Sequence, residues 1–73
     1  MDMFVVVFRN LNPDKLRKVV EDVKPDSAIW VSPISVKVEA RSISMLRRIA
    51  IESGAEVVQL IAWGNQAAAI LGV

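Results

Sequence analysis

Apolar and polar positions along this chain fall into blocks that switch period. Met3 to Phe8 is a short, nearly continuous apolar run, rich in valine and phenylalanine, and too short for a helix. It reads as a strand buried on both faces, ended by Arg9 and Asn10. The pattern then changes to a helical stripe: Leu16, Val19, Val20 and Val23 stand at i, i+3, i+4 and i+7. Asn12 takes the N-cap position, Pro13 takes N1, and Asp14 lies in the first turn, where the helix dipole favours an acid. Leu11 and Leu16 have the spacing of a hydrophobic staple. Asp14 with Lys18, and Arg17 with Glu21, are spaced as i,i+4 ion pairs. Lys24 closes the helix and Pro25 stops it.

Period two returns after the turn at Asp26-Ser27. Ile34, Val36, Val38 and Ala40 alternate with Ser35, Lys37, Glu39 and Arg41, the pattern of a strand with one wet face. Ala28 to Val31 is also strand-like, and Ser32-Pro33 lies between the two runs. Ser-Pro is poor chemistry for a two-residue hairpin tip, and the even positions stay largely apolar through the proline. Ala28 to Ala40 is therefore either a hairpin or one long strand bent at an edge by Pro33. A long projecting strand would be a natural place for two chains to pair.

A second helix follows, with Ser42 able to cap it, Leu46, Ile49, Ala50 and Ser53 facing inward, Ile43 and Met45 flanking them, and Gly54 ending it. Glu56 to Trp63 is the last strand. Gly64-Asn65 then breaks the chain before an uncharged apolar tail, Ala67 to Val73. Strand, helix, one or two strands, helix, strand predicts a single α+β domain over residues 1–73. Its expected form is a ferredoxin-like sandwich with two helices on one face of an antiparallel sheet.

Composition narrows what such a domain does. The chain has no histidine, cysteine or tyrosine, so the groups that most often move protons near neutral pH, act as thiols or ligate transition metals are missing. The serines have no histidine to activate them, and no Gly-x-Ser-x-Gly elbow is present. The three glycines form no phosphate loop or dinucleotide fingerprint. The carboxylates sit on helix surfaces, at element ends, or on a wet strand face between bases. No catalytic residue, cofactor or metal site is expected, and the chain is read as a non-enzyme.

A domain of 73 residues that is 53% hydrophobic carries more apolar side chain than one small core easily covers. A homodimer or higher oligomer is the expectation, with Trp30, Trp63, Ile70 and Leu71 as interface anchors. The net charge of +1 gives no strong field toward nucleic acid or anionic lipid. The alternative is RNA binding by a modest basic patch of Lys37, Arg41, Arg47 and Arg48, since RNA-recognition motifs use this topology. Against it, the central strand offers no aromatic. The N-terminus has no basic signal region, and Val57 to Val73 is interrupted by Gln59, Gly64, Asn65 and Gln66, so no membrane span is expected and a cytoplasmic protein is the default.

One stretch resembles a known family. Trp30-Val31-Ser32-Pro33-Ile34-Ser35-Val36-Lys37-Val38-Glu39-Ala40-Arg41-Ser42, with the helix closing on Glu52-Ser53-Gly54, is similar to a segment of the archaeal and eukaryotic wybutosine-synthesis methyltransferases that modify tRNA-Phe. There a Trp-x-x-x-Pro strand leads into a Val-x-x-Arg-Thr/Ser turn and a helix ending on Gly. The similarity covers about a third of the chain. The family's Ser-Cys-Ser-Gly-Arg signature is absent and the chain is far shorter, so no catalytic role carries over. The resemblance implies an archaeal origin and an RNA-associated, tRNA-modification context.

Overall fold

The computed structural model describes residues 3–62, which form β1 (Phe4–Arg9), α1 (Pro13–Val23), β2 (Ser27–Ser32), β3 (Ser35–Ala40), α2 (Ile43–Ser53) and β4 (Glu56–Ala62). The architecture is α+β: one antiparallel four-stranded sheet in the order β2-β3-β1-β4, with two helices. The crossover order follows from burial. β1, the most apolar strand, takes a central place, and Val6, Val7 and Phe8 are all buried. Val7 lies on the opposite face from Val6 and Phe8 and outside the core cluster. It is only 9% exposed, but Val5 on the same face is half-buried and Arg9 exposed, so the strand is fully buried on the helix side and only partly on the other, less than its sequence predicts.

One cluster forms the core. Val6 and Phe8 of β1 and Val36, Val38 and Ala40 of β3 meet Leu16, Val19, Val20 and Val23 of α1 and Leu46 and Ile49 of α2. Both helices therefore lie on the same sheet face. Phe4, Trp30, Met45, Ala50, Val57 and Leu60 pack around this cluster, partly buried. Every inward position predicted for α1 is buried, because a 3.6-residue period and a flat sheet leave the stripe only one place to go.

The segment from Ala28 to Ala40 is a hairpin of two strands. Its tip is Pro33-Ile34 rather than Ser32-Pro33: Ser32 pairs with Ser35, and the Ser32 hydroxyl accepts the Ile34 N–H at 3.2 Å. Pro33 thus sits where its fixed φ starts a turn. Neither tip residue has positive φ, so the turn does not match the strand twist as a primed turn would. The mismatch appears one step later, where Val31 is an extra residue between the pairs Trp30–Val36 and Ser32–Ser35.

Two local expectations at the first helix are replaced by other contacts. Leu11 is 80% exposed while Leu16 is fully buried, so no staple forms. Asn10 explains it: its Nδ2 donates to Ser53 O (2.9 Å) and its Oδ1 accepts the Asn12 N–H (2.9 Å), a brace that turns Leu11 outward. The helix start carries no side-chain cap bond from Asn12. Arg17 reaches Asp14 at 3.6 Å and bonds Pro33 O at 3.4 Å instead of pairing with Glu21. At the other end, Lys24 takes the left-handed conformation (φ 54°) and donates its N–H to Val20 O.

Candidate interaction surface

Among the described residues, the sheet face away from the helices is not consumed by the core. Pairing registers place its side chains in rows across the strands. Ile29, Lys37, Val7 and Gln59 form one row, and Ser27, Glu39 and Val5 lie in the next. The face is mixed, with Lys37 and Glu39 half-buried among aliphatic side chains. Its apolar character increases toward β2, the edge strand among the described residues, where Ile29 is 53% exposed and Val31 is also open to solvent.

Trp30 lies on the helix side of that edge strand. Its register partner is Val36 of the core, and the Arg17 guanidinium sits 4.7 Å from the ring centroid. One ring face is thereby occupied by a cation from α1, which leaves the indole half-buried at the margin of the sheet rather than free as a stacking platform. The other three expected anchors, Trp63, Ile70 and Leu71, lie outside the described residues.

The four basic residues of the nucleic-acid alternative are not brought into one patch. Lys37 is on the helix-free sheet face, whereas Arg47 and Arg48 lie on exposed positions of α2, in the other layer. Arg48 is paired with Glu52 at 2.7 Å, which holds the Glu52 carboxyl below the usual range and raises the guanidinium. Arg41 is tied to Asp26: its backbone N–H donates to Oδ2 (2.9 Å), and Nε and Nη2 donate to Oδ1 (3.2 and 3.0 Å). The backbone and guanidinium bonds together lower the Asp26 carboxyl from its ordinary value. This clamp joins the start of β2 to the end of β3.

A shallow cleft of about 190 Å³ opens between the end of β1 and the start of β4, lined by Arg9, Asn10, Leu11, Gly54 and Glu56. Its amide is committed to the loop brace described above, and Arg9 stands opposite Glu56 in the strand register. Nothing in it pairs a nucleophile with a base. Among the described residues no three His, Cys, Asp or Glu side chains come together to hold a metal ion, and no helix is long and apolar enough to cross a membrane.

The β2 edge was only half legible in the sequence. Strand propensity marks 28–31, but which strand ends a sheet depends on the crossover order, and periodicity carries no such signal. Comparison with family models, curated proteins and solved structures finds no match to this chain.

Proposed function

We propose that this chain is a small non-catalytic assembly module that works as a homo-oligomer on a ferredoxin-like sandwich. The antiparallel order β2-β3-β1-β4, with two helices on one face, supports that assignment of the fold. One observation carries the functional reading: an uncharged edge strand, Ser27–Ser32, exposes Ile29 and Val31 at the rim of the helix-free face. Exposed backbone donors and acceptors beside exposed apolar side chains are a template for pairing with another chain.

Assembly also suits the chemistry of the residues. The hydroxyls and carboxylates described above serve loops, caps and surface ion pairs. Ser53 illustrates this: it is buried, donates to Ile49 O and accepts the Ala55 N–H at 3.2 Å, so it seals the end of α2. The nucleic-acid reading gains no support from a basic set divided between two layers and half engaged with carboxylates.

Sedimentation equilibrium over a wide concentration range tests the proposal. A mass rising above 8.0 kDa toward a defined multiple supports assembly. A constant 8.0 kDa at every concentration removes it.

A further inference from the structure

Taking the assembly reading as its basis, we infer that a second copy docks edge to edge along β2, antiparallel, with Ile29 at the two-fold axis, so that two four-stranded sheets become one.

The two edges of this sheet are not equivalent. β4 begins with Glu56 and is interrupted twice against β1, at Val58 and at Ile61, where an extra residue breaks the register. Charge and bulges of this kind are how natural sheets discourage further pairing. β2 has neither device over Ser27–Trp30, which runs in unbroken register against β3. Its single irregularity is Val31, beside the turn. Among the described strands, β2 is also the one without a charge: β1 carries Arg9, β3 carries Lys37 and Glu39, and β4 carries Glu56. The nearest acid, Asp26, is folded back onto Arg41 and does not project along the edge as a free charge.

Self-pairing fits this strand in one register better than in its neighbours. With Ile29 on the axis, Ile29 meets the partner's Ile29 on the helix-free face. On the other face Ala28 meets the partner's Trp30, and the reciprocal contact forms by symmetry. Small stands opposite large, and the exposed Ala28 leaves room for an indole that reaches the rim. A register centred on Trp30 would oppose two indoles and move the Val31 bulge from the end of the ladder, opposite Ser27, to the pair next to the axis, opposite Ile29. Charge does not oppose the arrangement. Each Lys37 lies one strand inward from Ile29, so the two lysines are separated by three strand spacings, about 14 Å. That exceeds the Debye length of about 8 Å at physiological ionic strength.

Because the chain has no cysteine, single introduced thiols report contacts without background. Ile29→Cys places two thiols across the axis, within the range of directly opposed strand residues. Val58→Cys, at an exposed site on the β4 edge, is the control. Under a mild oxidant, Ile29→Cys is expected to give a covalent dimer many-fold faster than Val58→Cys. On the unmodified chain, hydrogen exchange in segment 27–32 is expected to slow as concentration rises, which tests the edge without any substitution. If the unmodified chain associates but Ile29→Cys forms disulfides no faster than the control, and 27–32 gains no protection, edge pairing is wrong while assembly survives. If the unmodified chain is monomeric throughout, both readings fall.

Discussion

Arg17 and Trp30 join the first helix to the edge of the sheet: the guanidinium lies 4.7 Å from the centre of the indole, and its Nη2 also reaches Pro33 O. The same arginine therefore steadies the strand side and the turn side of the β2–β3 hairpin. A cation over a partly exposed indole is worth about 0.5–1 kcal/mol. Arg17→Ala is expected to lower unfolding stability in urea by about that amount. Arg17→Lys, which keeps the charge but not the planar fork, is expected to recover part of it. No change in either variant would mean that the contact contributes nothing.

Asp26 gives the fold an acid-sensitive joint. Its carboxyl is held below the ordinary value by the Arg41 N–H and guanidinium. A depressed carboxylate contributes stability that is fully present above its unfolded pKa of about 3.9 and is lost as pH falls through the lower folded value. Asp26→Asn is expected to destabilise the chain at pH 7 and to have progressively less effect as pH is lowered below 4. Carbon-detected NMR titration of the Asp26 carboxyl checks the sign directly. A midpoint at or above the ordinary aspartate value would contradict the clamp.

Neighbouring apolar residues in α2 are expected to behave in opposite ways. Leu46 is fully buried between helix and sheet, and Ile51 is 65% exposed. Leu46→Ala is expected to cost about 2–5 kcal/mol, a large share of the roughly 5–15 kcal/mol available to a small domain. Ile51→Ala should change denaturant stability by no more than about 0.5 kcal/mol. Leu11→Ala should resemble Ile51→Ala, since Leu11 makes no staple; a loss above about 1 kcal/mol would restore that contact.

Helix ends supply a paired test. Gly54 ends α2 at φ 69° and an added Cβ would meet nothing within 4 Å, so only backbone strain opposes substitution. Left-handed strain of about 1–2 kcal/mol outweighs the roughly 0.4–1 kcal/mol gained by restricting the unfolded chain. Gly54→Ala is therefore expected to destabilise modestly in thermal or urea unfolding. Lys24→Gly, at φ 54°, is expected to stabilise by a similar margin. The same sign for both would contradict the argument.

Sequence periodicity carries the elements well, because burial imposes it: the stripe from Leu16 to Val23 and the alternation from Ile34 to Ala40 each have one way to face a core, and the unbroken apolar run of β1 marks a central strand. What it leaves open is set by contacts distant in the chain. Pro33 allows a bent strand or a turn, and the turn forms because Ser32 supplies a local acceptor and β3 can pair back onto β2. Leu11 looks like a staple until Asn10 bonds to Ser53, which lies 43 residues away. Lys37 and Arg47 look like neighbours in a basic patch until the sheet and helix layers separate them. The exposed edge that defines the candidate surface is likewise a property of strand order, which no single segment encodes.

Solution mass by light scattering, across a concentration series, for the unmodified chain and for Ile29→Lys, tests pairing along β2 most directly. Pairing at Ile29 predicts that the unmodified chain approaches twice 8.0 kDa. Ile29→Lys, with two charges brought together at the axis, should stay at 8.0 kDa with an unchanged circular dichroism spectrum. Equal association of both chains, or a monomer in both, would contradict it.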